Sequence, residues 1–132
     1  MDSTNIDLPG SKIVSVSKDG DNVRVRFEPA YLIKIMTGSV ERTRWWQNGD
    51  LVITNAEIED ELPTLPADCA GGDVGENVYT YRDMVPVPLE SAGYAHCALK
   101  VEGSEAVIRV SGDGVKLELE EVPKYIEHIR PE

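Results

Sequence analysis

Four side chains could do nucleophilic or metal chemistry: Cys69, His96, Cys97 and His128. A catalytic thiol needs a neighbouring base to make thiolate, and a zinc site needs ligands converging at paired spacings. His96 and Cys97 are adjacent in a strand-like stretch, so their side chains leave on opposite faces. No Cys-x2-Cys or His-x3-His pair occurs. The spacing therefore predicts a buried structural Cys97, no catalytic residue and no cofactor. Two cysteines make no disulfide framework, and free thiols in a reducing cytoplasm are expected.

Carboxylates are plentiful but poorly arranged for catalysis or metal binding. Asp19-Gly-Asp-Asn22 and the set Asp68, Asp73 and Glu76 offer oxygen ligands near glycines. Neither has the twelve-residue EF-hand spacing, and the first is ordinary turn chemistry. Gly71-Gly72 and Gly112-Asp-Gly114 do not lead from a strand into a helix with a Lys, so no phosphate loop is predicted. Glu57 and Glu59 share one strand face, where solvent-facing carboxylates are commoner than a glycosidase pair.

Aromatic chemistry is concentrated at Trp45-Trp46, inside the stretch running from Val40 to Ala56. Asn48-Gly49 favours a tight turn, which predicts a hairpin of Val40–Gln47 and Leu51–Glu59. Successive strand side chains alternate, so the two indoles cannot share a face. Trp45 is expected in the core or under the 60–77 segment. Trp46 shares its face with Arg42 and Arg44, and such a ring could stack on a sugar, a base or a peptide side chain.

The elements that must hold these residues read as strands. Val23, Val25 and Phe27 alternate with Arg24, Arg26 and Glu28; Cys97, Leu99 and Val101 alternate with Ala98, Lys100 and Glu102. Val115, Leu117 and Leu119 do the same near the C-terminus. Pro29 predicts a strand end or a bulge, and Val85-Pro-Val-Pro-Leu89 an extended edge. Residues 60–77, with two prolines, three glycines and several acids, are expected to be irregular and tied down by Leu62 and Leu65. Val122, Tyr125, Ile126 and Ile129 recur at helical spacing behind Pro123. The predicted fold is all-β: an antiparallel barrel or sandwich of about eight strands with a short C-terminal helix. Residues 1–10 are expected as a disordered tail and 11–132 as a single β domain.

The net charge of −11 is unevenly placed. Residues 57–90 carry nine acids against Arg82 alone, a net of −8, whereas residues 11–56 carry +2. That balance repels nucleic acid and anionic membrane surfaces. Met1–Gly10 is polar and lacks a signal-peptide h-region, and no apolar run is long enough to span a bilayer. A soluble, cytoplasmic, acidic protein is expected.

The ending Gly112-Asp-Gly-Val-Lys-Leu-Glu-Leu119, followed by Tyr125-Ile-Glu127, resembles small β-rich bacterial proteins of unassigned function. The resemblance covers about the last quarter of the chain and implies no activity. Three functional expectations follow from the residues. The first is a non-enzymatic interaction protein whose acidic loop surface meets a basic protein partner, as an immunity protein meets a toxin. The second is a small-molecule or carbohydrate binder, hydrolytic or not, with a barrel mouth near Trp46. The third is a homo-oligomer formed through the edge strand at Val85–Leu89. The residues singled out for binding are Arg42, Arg44, Trp46, Glu57, Glu59, Asp60, Glu61, Tyr79 and Tyr81.

Overall fold

Every regular element of the computed structural model, which describes residues 3–38 and 40–129, is a strand. In chain order these are β1 (Ser3–Asp7), β2 (Lys12–Asp19), β3 (Asn22–Ile35), β4 (Arg42–Thr54), β5 (Glu57–Ile58) and β6 (Ala67–Glu76). They continue as β7 (Tyr79–Arg82), β8 (Met84–Val87), β9 (Glu90–Val101), β10 (Val107–Leu119) and β11 (Lys124–Ile129). The alternation visible in the sequence is the alternation of the core. Val23, Val25 and Phe27 meet Cys97, Leu99 and Val101 there, with Val115 buried and Leu117 and Leu119 packed against them.

β4 is the hub. Its one edge pairs with β3; its other edge pairs with β10 over Gly49–Thr54 and with β11 over Arg42–Trp46. From β10 the pairings run through β9, β6 and β2 back to β3, so β4 is reached from both directions. The β2–β6 link holds by only two residue pairs, Lys12 with Asp68 and Ile13 with Ala67. β1, β5, β7, β8 and β11 lie off this circuit, β5 pairing with β10 and β7 with β6. The result is one antiparallel sheet of eleven strands, not a plain barrel or sandwich of about eight.

Four local expectations are corrected. Asn48-Gly49 is not a hairpin turn but the middle of β4, and neither residue has positive φ. Gly49 sits opposite both Phe27 and Leu119, and a Cβ there would lie 2.7 Å from the Glu118 carbonyl oxygen. The glycine serves close strand approach rather than chain reversal.

Residues 60–77 are not wholly irregular, because they contain β6, whose Cys69 and Val74 are buried. The His96 ring of β9 lies over Gly75 where a side chain would stand, so this glycine too marks close packing. Leu62 and Leu65 do pack against the core.

Ser3–Asp7 is not a disordered tail but β1, pairing with β3 and β8, and Ile6 is buried. Met1 and Asp2 of that expected tail lie outside the described residues.

No C-terminal helix forms among the described residues; Lys124–Ile129 is a strand paired with β4. Its ladder shifts between Tyr125 and Glu127, which face Trp45 and Arg44, so Ile126 is an extra residue in a bulge. That extra residue breaks the period of two and leaves an apolar spacing that imitates a helix. β8, with Pro86 inside it, takes the end position in the strand order that its prolines predict. No helix among the described residues is long and apolar enough to cross a membrane.

Candidate functional site

Trp45 and Trp46 leave β4 on opposite faces. Trp45 packs against the core, edge-on to Tyr125 with ring centres 5.3 Å apart. Lys34 Nζ stands 4.1 Å from its ring centre, and its Nε1 donates to Thr43 Oγ1 at 2.8 Å. Lys34 of β3 and Tyr125 of β11 contribute to its cover.

Trp46 looks the other way. Its partner across the β3–β4 ladder is Tyr31, and across the β4–β11 ladder Lys124. Lys124 Nζ lies 4.7 Å from the Trp46 ring centre, and Arg44 Cζ lies 4.5 Å from the Tyr31 ring centre. Two aromatic rings thus stand on neighbouring strands, each with its own cation. Beside them opens a cleft of about 390 Å³ lined by Glu28, Pro29, Tyr31, Trp46, Asn48 and Ile126.

Two bulges build this cleft. In β3 the register shifts between Phe27 and Ala30, which face Gly49 and Gln47, so Glu28 and Pro29 together oppose Asn48. In β11 the extra residue is Ile126. A bulge re-aims side chains that strict alternation would place elsewhere, and all four of these residues line the cleft.

The walls are fixed from beneath. The buried Ser11 hydroxyl donates to the Asp7 carbonyl at 2.7 Å and accepts from the Tyr31 N–H at 2.9 Å, which anchors the backbone at Tyr31. Gln47, also buried, donates through Nε2 to the carbonyls of Glu121 (2.8 Å) and Glu120 (3.2 Å) and so ties β4 to the turn that leads into β11. Burial pushes the Asp7 carboxyl up; Arg44, 3.8 Å away, opposes that shift and Asp83 adds to it.

A ladder of charges continues from the cleft across β3, β4 and β10. Glu28 accepts from Arg26 Nε at 2.8 Å, and Arg26 also binds Glu120 and reaches Asp50 at 3.4 Å. Arg24 holds Glu118 at 2.6 Å, Asp19 at 2.8 Å and Asp50 at 3.0 Å. The hydrogen bond from Arg24, then that from Lys116, holds the Glu118 carboxyl below its usual range, and Arg26 does the same for Glu120.

The other predicted residues are scattered. Arg42 is exposed on β4. Glu57 pairs with Lys18 at 3.5 Å, Glu59 accepts from Ser111 Oγ at 2.6 Å, and Asp60 pairs with Arg109 at 3.0 Å. Glu61 is exposed. Tyr79 and Tyr81 belong to β7, paired with β6, and the Tyr81 hydroxyl donates to Glu76 at 3.0 Å. None of these residues lines the Trp46 cleft. Conversely, sequence reasoning missed Glu28, Tyr31, Asn48 and Ile126 as partners of Trp46. Pro29 inside a strand-like run was the one signal pointing there.

Both cysteines are free and buried. Burial pushes the Cys97 thiol up to about 12 and raises that of Cys69, so neither is poised as a thiolate. Among the described residues no three His, Cys, Asp or Glu side chains group to hold a metal ion. Comparison with protein families, curated proteins and solved structures returns no match for this chain.

Proposed function

We propose that the chain is a carbohydrate-binding module that seats a sugar ring in the Trp46 cleft. The observation that carries this reading is the pairing of Trp46 and Tyr31 on one sheet face, with Glu28 and Asn48 beside them. An indole or phenol face takes the apolar C–H side of a sugar, and a carboxylate and an amide supply acceptors and donors for its hydroxyls. Pro29 and Ile126 complete an apolar wall. Glu28 is the one carboxylate in the lining, and glycoside hydrolysis ordinarily uses two flanking the bond, so binding is favoured over cleavage.

Titration of indole fluorescence with a panel of mono- and oligosaccharides tests this. At least one sugar is expected to produce a saturable change that Trp46→Ala abolishes and Trp45→Phe retains. A panel without response, or a response that survives Trp46→Ala, contradicts the reading. The competing reading is an acidic surface for a basic protein, built on the carboxylates of residues 57–90, whose intrachain pairs, such as Glu57 with Lys18 and Asp60 with Arg109, are exposed ones. Salt-sensitive capture of a basic protein would favour it instead.

A further inference from the structure

A second concavity, of about 460 Å³, lies over β6, β7, β9 and β10 and shares no residue with the Trp46 cleft. Its floor follows two rows of the ladder. One row runs Arg82, Asp73, Ala98, Arg109 across the four strands; the next runs Gly71, Lys100, Val107. Gly71, Gly72 and Ala98 put almost no side chain into the middle, while Arg82, Lys100 and Arg109 line it with long cationic side chains. Three cations around one hollow are unexpected on a chain of net charge −11.

Two of the three have carboxylate partners within the chain. Arg82 meets Asp73 at 3.0 Å, but its side chain is 77% exposed. Arg109 meets Asp60 at 3.0 Å, both about half exposed. The half-exposed Arg109–Asp60 pair contributes little, whereas Arg82 also reaches the second Asp73 oxygen at 3.4 Å, a fork that must open before Arg82 can turn to a ligand. Lys100 has no ion pair among the described residues. Asp83, also in the lining, has its Oδ1 aimed at the Gly72 N–H, which donates to it at 2.9 Å.

We propose that this cleft is an anion site for a small phosphate monoester. Lys100 supplies a point charge, and the two guanidiniums turn from Asp73 and Asp60 to the phosphate oxygens, a geometry that suits bidentate contact. The ester's polar remainder lies over the glycine and alanine floor. The site is independent of the sugar-binding reading above.

Isothermal titration with glycerol 3-phosphate, inorganic phosphate and glycerol tests it. Glycerol 3-phosphate is expected to bind saturably and more weakly as salt rises, inorganic phosphate less tightly, and glycerol not at all. Lys100→Ala and Arg109→Gln, both at exposed positions, should each weaken binding roughly tenfold with an unchanged circular dichroism spectrum. Asp73→Asn releases Arg82 and removes a negative charge, so it should tighten binding. Trp46→Ala should leave it unchanged. The proposal is overturned by absence of saturable heat with the ester at millimolar concentration, by tighter binding of inorganic phosphate than of the ester, or by affinities indifferent to Lys100→Ala and Arg109→Gln. Weaker binding in Asp73→Asn overturns it as well, since an anion site must gain when a competing carboxylate is removed.

Discussion

Gly49 shows how one residue can carry two messages. After Asn48 it advertises a turn, yet the space above its Cα is filled by the β10 backbone. Gly49→Ala is expected to cost about 1–3 kcal/mol through overpacking. Urea unfolding checks this; unchanged stability would mean that β10 does not press on that position. The division between Trp45 and Trp46 was legible because a strand's alternation needs no tertiary knowledge. The grouping of Trp46 with Tyr31, Glu28 and Ile126 was not. Those residues come from three strands, and the bulges that aim them are set by ladder register, which no single stretch of sequence reveals. Trp46 is half-buried, and Tyr79 and Tyr81, expected beside it, belong to β7.

At the scale of elements, clean alternation marks parts of β3, β9 and β10, but the turn signal at Gly112-Asp-Gly114 falls inside the continuous β10, and β1, β6 and β11 imitate a tail, a loop and a helix. Each failure has a physical cause. β6 carries Gly71, Gly72 and Gly75 in places where β9 or Asp83 comes too close for a side chain, so its composition imitates a loop. β11 loses its period to the bulge at Ile126. β1 is short and polar, with Ile6 as its one fully buried side chain. Hydrogen exchange separates strand from loop for β6. The amides that β6 donates to β9 should be protected to a degree similar to those in β9 itself. Exchange of the whole 67–76 stretch at unprotected rates would return it to the irregular segment its composition suggests.

For the whole molecule, the all-β class followed from composition and alternation, but the pairing order of the eleven strands did not. One strand, β4, meets β3, β10 and β11, and this long-range pairing has no local signature. Nor does the charge ladder on its outer face, where Arg24 and Arg26 gather carboxylates from β2, β3, β4 and β10 together with Glu120. Glu118, Glu120 and Asp73 have folded pKa values below their ordinary ones. Their stabilisation is therefore full above the unfolded carboxyl range, near 4.5 for Glu and 3.8 for Asp, and is lost as pH falls through the lower folded values. Urea midpoints measured from neutral pH downward should fall across that window. Replacing Arg24 and Arg26 by Gln should lower stability at neutral pH and flatten the acid slope. An unchanged slope would remove the ladder as its source.

The two indole N–H resonances offer the most direct test of the Trp46 cleft. Trp45 Nε1 is held by Thr43 on the core side, whereas Trp46 faces the cleft. In a nuclear magnetic resonance titration with the sugar that gives the strongest fluorescence response, the Trp46 indole signal and the Asn48 side-chain amide should move together and saturate. The Trp45 indole signal should stay in place. Saturating shifts confined to Trp45, or to residues remote from β3, β4 and β11, would contradict a sugar ring seated on Trp46.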